Sequence, residues 1–263
     1  MSLTMPPTEA SPSIRPRTEP PQTLRPSTES PSSSAVPTYS EVERPLESLL
    51  RQPPPPNFDP VARIYRFAEY LALGSLLQRT RTHFLADLPP RHQAFVLGDG
   101  DGRFLARLLE RRPHLGALAV DTSATMLQLL RRRCQPFLHR VRTLQASALT
   151  VTPAPDTDLI VTHFFLDCLT QPELTSLAQN LAAQTAPGTL WLLSDFAVPQ
   201  TPILRPLAAL YIRSLYLAFR LLTGLRVTHL PDPQAALAAA GFTRIARHEF
   251  LLGVLYTEIW QLH

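Results

Sequence analysis

A glycine-rich turn directly after a short apolar run is the feature that most limits what this chain can fold into. The run at residues 94–97 is followed by glycines at alternate positions, Gly98, Gly100 and Gly102, and then by an amphipathic segment at 103–111. This pattern predicts a buried strand, a tight turn and the start of a helix. Glycine permits positive φ, and a helix start offers free N–H groups, so such a turn can hold a nucleotide-like cofactor.

Short apolar runs and amphipathic segments alternate along the chain after this turn. The predicted strands are near 95–97, 115–120, 141–145, 159–164 and 189–196, the helices at 103–111, 124–133, 172–185 and 231–240, and a terminal antiparallel pair at 243–250 and 255–262. Strands that alternate with helices form right-handed βαβ units and a mostly parallel sheet covered on both faces. The sequence therefore predicts an α/β fold of the doubly wound, Rossmann-like type.

Two helical segments flank this alternation. Residues 58–85 have an apolar face and predict an N-terminal helical cap, in which Tyr65 and Tyr70 are either core aromatics or residues that close over a ligand. Residues 203–223 predict a long apolar helix inserted after strand five, with three arginines on one face. We expect it to cover the pocket, with its arginines solvated, or to make peripheral contact with a membrane surface.

The first part of the chain differs from the rest. Residues 1–56 are rich in proline, and Thr-Glu pairs recur in them every ten residues, at Thr8, Thr18 and Thr28. Such a segment has little to bury, which predicts a disordered tail, either a plain linker or a docking segment for a partner that binds proline. Residues 57–263 are predicted to form the folded domain.

Composition narrows the class of protein. The net charge is +4, and the chain lacks the dense basic stripe of nucleic-acid binders, so no nucleic-acid partner is expected. Two cysteines, Cys134 and Cys168, without metal-ligand spacing favour a reducing compartment and no metal site. No signal peptide and no apolar run of membrane-spanning length is visible, and we expect a cytoplasmic protein.

Charge around the glycine turn indicates which cofactor it holds. A dinucleotide turn needs a third glycine where this chain has Arg103, and the Lys and Ser/Thr of a phosphate-binding P-loop are absent. Asp121 ends the second strand, where a carboxylate accepts hydrogen bonds from ribose hydroxyls. Asp99 and Asp101 would repel a pyrophosphate but suit a cofactor with sulfonium and ammonium groups. These features favour S-adenosylmethionine over NAD.

Four stretches in order resemble successive motifs of class I S-adenosylmethionine-dependent methyltransferases: 96–104, 119–121, 122–127 and 186–190. The resemblance extends from residue 58 to the C-terminus, and 58–62 and 240–242 are similar to the ubiquinone/menaquinone-biosynthesis type. It implies a methyltransferase domain at 57–263 with S-adenosylmethionine as cofactor and a small-molecule methyl acceptor. It also implies a seven-stranded sheet with a reversed final strand, which agrees with five strands plus the terminal pair.

The resemblance and the local chemistry together predict the residues that bind the cofactor. They are Gly98, Asp99, Gly100, Asp101, Gly102, Asp121, Thr122, Met126, Ala146, Ser147 and His163. Two positions depart from the family pattern. Val96 occupies the place of an acidic residue, and Ser147 that of an aspartate that meets the adenine amino group.

The stretch after strand four is predicted to form the reacting end of the site, because ligands bind at the carboxyl ends of parallel strands. His163 is a candidate general base oriented by Asp167; alternatively it packs beside the cofactor and Asp167 caps the next helix. Phe164 and Phe165, with Tyr65 and Tyr70, predict an apolar acceptor pocket, although the phenylalanines are also consistent with core packing.

The sequence thus predicts an enzyme that methylates a small, apolar, quinone- or phenol-like acceptor. The alternative is a non-catalytic, methyltransferase-like scaffold that recruits a partner through its proline-rich tail.

Overall fold

The computed structural model describes residues 75–199 and 230–263. The helices are α1 (Ser75–Thr82), α2 (Arg103–Arg111), α3 (Ala124–Arg133), α4 (Gln171–Gln184) and α5 (Pro233–Ala239). The strands are β1 (Gln93–Leu97), β2 (Gly116–Asp121), β3 (Val141–Gln145), β4 (Leu159–His163), β5 (Leu190–Phe196), β6 (Phe242–Phe250) and β7 (Leu255–Leu262).

All these strands form one seven-stranded sheet in the order β3-β2-β1-β4-β5-β7-β6. The first five pair in parallel, whereas β7 runs antiparallel to both β5 and β6. Strand order reverses between β1 and β4, and ligands of open α/β sheets bind at the carboxyl ends of the strands at such a point. The predicted Rossmann-like, doubly wound sheet with a reversed final strand is confirmed.

Alternate residues of the central strands face two separate cores. Phe95, Ile160 and Trp191 lie on the face covered by α4 and α5. Val96 and Val161 lie on the opposite face, which α2 and α3 cover. Val96 is buried there in an apolar cluster, where a carboxylate without a partner would be costly.

Several predicted segments lie wholly or partly outside the residues that the structure describes. The tail at 1–56, the inserted helix at 203–223, and Tyr65 and Tyr70 of the predicted cap lie outside the described residues. The described part of the cap is α1, followed by a 3-10 turn at His83–Leu85. None of the described helices is long and apolar enough to span a bilayer.

Candidate active site

The glycine turn between β1 and α2 adopts a left-handed backbone at each of its glycines. The φ angles are +66° at Gly98, +57° at Gly100 and +79° at Gly102, values that other residues adopt only with strain. The Gly98 N–H donates to the Val120 carbonyl at 3.0 Å and ties the turn to the end of β2. The turn therefore lies at the edge where β1 and β2 end, with the space beside Gly98 filled by Phe165 and the space beside Gly100 free to within 3.9 Å.

Asp99 is the buried carboxylate of the turn. Its Oδ2 accepts a hydrogen bond from the Leu105 N–H at 3.0 Å. Its Oδ1 is buried and has no hydrogen-bond partner among the described residues. Burial raises the pKa of Asp99 to about 7, although the Leu105 N–H and the charge of Arg81 act in the opposite direction. A polar group that is buried without a partner calls for a ligand or an ordered water.

Asp101 is engaged by two arginines. Its Oδ2 lies 2.8 Å from Arg133 Nη2 and 3.2 Å from Arg103 Nε, and Arg133 Nε also donates to the Asp101 carbonyl at 2.9 Å. The charge of Asp101 is thus compensated within the protein, which corrects the expectation that both carboxylates of the turn attract a cationic cofactor. Asp101 holds the turn against the C-terminal end of α3 instead.

Asp121 lies at the carboxyl end of β2, next to the turn. Its Oδ1 accepts the Ser123 N–H at 2.9 Å, and its carbonyl accepts the Ala146 N–H at 3.1 Å. The Thr122 carbonyl accepts a hydrogen bond from Gln145 Nε2 at 3.2 Å. The ends of β2 and β3 are therefore joined where the sequence predicts the adenosine part of a cofactor.

Two further predicted cofactor residues lie at this edge. The Met126 Sδ atom would be 3.9 Å from a Cβ atom built on Gly100, so this side chain lies beside the turn. The Ser147 hydroxyl accepts the N–H of Leu149 at 3.3 Å and stabilises the loop that follows β3. The structure thus brings the predicted cofactor residues from the turn, β2 and β3 to one end of the sheet.

His163, the last residue of β4, is buried on the α2 face of the sheet. Its Nδ1 lies 3.0 Å from Ser194 Oγ. Its Nε2 is buried and has no hydrogen-bond partner among the described residues. The Phe104 ring packs against the imidazole, with ring centroids 4.3 Å apart. Burial lowers the pKa of His163 well below its ordinary value, so the ring is neutral near pH 7.

Asp167 does not have either of the roles predicted for it. The orienting partner of His163 is Ser194, and the N-cap of α4 is Thr170, whose capping box includes Glu173. Asp167 lies in a 3-10 turn at Leu166–Cys168, and its backbone N–H donates to Asp195 Oδ2 at 3.2 Å. Asp167 is therefore part of the loop that follows His163 rather than its orienting partner.

Asp195 anchors that loop, and the sequence analysis missed it. It is almost fully buried at the end of β5, and its Oδ1 accepts the Phe196 N–H at 2.9 Å. Burial and the nearby Asp167 raise its pKa well above the usual range. Burial, together with Asp167, also raises the pKa of the Cys168 thiol, which disfavours a nucleophilic role for that cysteine.

The two phenylalanines after His163 point in different directions. Phe164 has a φ of +54° and packs with Leu77 and Leu255 in a small apolar cluster at the carboxyl edge of the sheet. The Arg81 guanidinium lies 5.0 Å from the centre of its ring. Phe165 lies against Gly98 instead. A strained backbone at a non-glycine residue often marks a functional site.

Ser194 and Thr257 are polar residues of this site that the sequence analysis did not identify. Ser194 is the register partner of His163 across β4 and β5, and Thr257 is the partner of Ser194 across β5 and β7. The signal in the sequence was weak, because the serine of β5 and the threonine of β7 stand beside charged residues of the same strands. Whether these two residues lie beside His163 depends on the register of β4, β5 and β7, which the hydrophobic pattern does not give.

Comparisons with known proteins place this arrangement in context. Residues 95–188 match the family model described as a methyltransferase domain. Trans-aconitate 2-methyltransferase of Azoarcus sp. (strain BH72) is 32% identical over 122 residues, which cover 46% of this chain and 46% of that protein. The match thus spans less than half the length of that relative.

Solved structures support the same fold. An O-methyltransferase family 2 protein from Planctomyces limnophilus, in complex with apigenin, superposes with a TM-score of 0.58 at 16% identity, over 77% of this chain and 62% of that chain. CalO1, a methyltransferase of calicheamicin biosynthesis in its SAH-bound form, gives a TM-score of 0.57 at 17% identity, over 78% and 60%. At such low identity these likenesses show the fold alone.

Proposed function

We propose that this chain transfers the methyl group of S-adenosylmethionine to a small acceptor, because residues 95–188 match a methyltransferase domain. The observation that carries the proposal is the glycine turn at the strand-order reversal, with Asp121 at the end of the adjacent strand. S-adenosylmethionine supplies an electrophilic methyl group on a sulfonium, and the protein has to align the acceptor and exclude water.

The residues around the turn fit this cofactor. Gly100 has a left-handed backbone with free space beside it, and the buried Asp99 Oδ1 has no partner among the described residues and can accept a hydrogen bond from an ammonium group. Asp121, at the carboxyl end of β2, would accept hydrogen bonds from the ribose hydroxyls. Met126 beside Gly100, and Ala146 and Ser147 beyond β3, would line the adenosine part. Ser147 would serve the adenine in place of the aspartate of the family pattern.

The acceptor side of the proposal relies on apolar residues and one histidine. Phe164, Leu77 and Leu255 form an apolar cluster at the edge where β4 ends. Such a surface suits a quinone- or phenol-like molecule better than a highly charged one. We assign the role of general base to His163, because its neutral imidazole has a buried Nε2 without a partner among the described residues.

The alternative of a non-catalytic scaffold is less consistent with these residues. Three left-handed glycines and a buried carboxylate oxygen without a partner among the described residues are expected in a ligand site and are not required in a scaffold. A peripheral membrane contact through 203–223 and a cytoplasmic location remain predictions from the sequence.

Isothermal titration calorimetry of the full chain with S-adenosylmethionine tests the proposal. We expect a single site, weakened in Asp121→Asn and unaffected in Asp232→Asn, whose carboxylate caps helix α5 instead. A protein that is folded by circular dichroism and yet binds no S-adenosylmethionine at millimolar concentration would refute the proposed function.

A further inference from the structure

A chain of hydrogen bonds runs from His163 across three strands. His163 Nδ1 lies 3.0 Å from Ser194 Oγ. Ser194 Oγ lies 3.0 Å from Thr257 Oγ1, which in turn lies 3.0 Å from the Leu193 carbonyl oxygen. All three side chains are at most 2% exposed, so water does not compete for these contacts.

The donor and acceptor roles of His163, Ser194 and Thr257 follow from the number of protons that the three side chains can share. A carbonyl oxygen only accepts, so the Thr257 hydroxyl must donate to Leu193. Thr257 Oγ1 then has no proton for Ser194, and the Ser194 hydroxyl must donate to Thr257. The same hydroxyl is also 3.4 Å from the Thr80 carbonyl, a second oxygen that can only accept. Ser194 Oγ is therefore an acceptor toward His163, and the proton between them belongs to Nδ1.

We propose that Ser194 and Thr257 are positioning residues that fix His163 as the Nδ1–H tautomer, so that Nε2 presents a lone pair to a protic, neutral acceptor such as a hydroxyl. The tautomer follows from the hydrogen bonds alone, whereas the acceptor class rests on the proposed function. A buried lone pair attracts a hydrogen-bond donor and repels a carboxylate. The acceptor class is therefore a hydroxyl compound rather than a carboxylic acid that is already ionised at neutral pH.

The reaction balances with this assignment. The acceptor oxygen forms a bond to the methyl carbon while the carbon–sulfur bond breaks, and the bonding pair stays on sulfur. The hydroxyl proton passes to His163 Nε2, which becomes an imidazolium. The Nδ1–H bond to Ser194 is retained throughout, so the ring keeps its orientation while the proton is transferred. After the methylated product leaves, water that enters its place takes the proton from Nε2 and restores the neutral imidazole.

Nitrogen-15 NMR of the histidine side chains in the full chain tests the tautomer directly. Protonated and unprotonated ring nitrogens differ widely in chemical shift, and the signals of His163 are assigned by their loss in His163→Gln. We expect a protonated Nδ1 and an unprotonated Nε2 at pH 7.5. A protonated Nε2, or a mixture of both tautomers, in the wild-type protein overturns the proposal whatever the variants do.

Variants then separate positioning from structural support. We expect Ser194→Ala and Thr257→Val to shift His163 toward the Nε2–H form or a mixture. Thr189→Val is the matched control, because it removes a buried hydroxyl that bonds the Thr157 and Ala186 carbonyls instead, and it should leave the His163 signals unchanged. A well-folded Ser194→Ala protein that keeps the wild-type tautomer would also contradict the assignment.

The two proposals fail separately. Absence of S-adenosylmethionine binding would remove the proposed function without changing the NMR result. Where binding is intact, we expect Ser194→Ala to lower kcat toward a hydroxyl acceptor at least tenfold with little change in the Kd for S-adenosylmethionine. Equal kcat in both proteins, with catechol as the acceptor, would remove the positioning role.

Discussion

The Phe165 ring packs against Gly98, the first glycine of the turn between β1 and α2. A Cβ atom built on Gly98 would come within 2.4 Å of the ring. This contact joins the end of β1 to the loop after β4, so the glycine turn and the loop that follows His163 constrain each other. Gly98 is therefore required both for its left-handed backbone and for the space that its missing side chain leaves.

This contact predicts that Gly98→Ala is much more damaging than a glycine substitution elsewhere. We expect a loss of about 3 kcal/mol in the free energy of unfolding, from backbone strain plus the clash, together with loss of cofactor binding. Gly188→Ala has a similar φ, +89°, but nothing within 4 Å of its Cβ position, so its cost should be about 1 kcal/mol. Urea denaturation measures both. Phe165→Ala should partly rescue Gly98→Ala, and no rescue would exclude the steric explanation.

Asp121→Asn should weaken S-adenosylmethionine binding by about 10- to 100-fold, because a charge-assisted hydrogen bond contributes about 1.5–3 kcal/mol. The variant keeps Oδ1 as an acceptor for the Ser123 N–H, so the fold should be retained. Calorimetry gives the Kd and circular dichroism checks the fold. An unchanged Kd would show that Asp121 does not contribute to cofactor binding.

Asp99→Asn should stabilise the ligand-free protein at pH 8 and have less than about half that effect at pH 5. The pKa of Asp99 is raised from 3.8 to about 7, so the folded state binds more protons than the unfolded state between these values. Stability therefore falls as pH rises through this window, by up to about 4 kcal/mol. Asparagine lacks the ionisation and should not show the decline. Chemical denaturation at both pH values tests this, and equal pH slopes would contradict it.

Arg247→Met should destabilise the protein by about 3 kcal/mol, because it leaves a buried carboxylate short of a partner. Glu258 is fully buried, pairs with Arg247 and Arg244, and accepts a hydrogen bond from Trp260 Nε1 at 2.7 Å. Arg107→Met, on the exposed face of α2, is the control and should change stability by less than about 0.5 kcal/mol. Thermal denaturation that gives equal shifts for the two variants would argue against a buried ion pair here.

Local patterns in the sequence were sufficient for the central sheet. The predicted helices at 103–111 and 124–133 and the strand at 141–145 have the bounds that the structure gives them. Hydrophobic periodicity and capping residues lie within or next to the element that they define. They therefore predict that element without knowledge of the tertiary structure. Predicted helix 231–240 starts late, at Pro233, because the Asp232 side chain accepts the Ala235 N–H as an N-cap.

Pairings between distant residues could not be predicted in the same way. Arg133 is 32 residues from Asp101, and its ion pair with that aspartate changed the meaning of the acidic turn. Asp167 is close to His163 in sequence and was chosen as its partner, whereas the actual partner, Ser194, is 31 residues away on the neighbouring strand. Such contacts follow from strand order and register, which the hydrophobic pattern alone does not give.

The reversed strand β7 has a consequence for the order in which the site is assembled during synthesis. Thr257 contacts Ser194 across 63 residues of sequence, although the glycine turn and His163 belong to the first part of the sheet. A ribosome-bound chain that has already formed β1 to β5 would contain His163 and Ser194 without the Thr257 hydroxyl. Translation must therefore proceed past residue 257 before Ser194 gains its Thr257 partner, and a nascent or truncated chain would have the glycine turn and His163 without this contact.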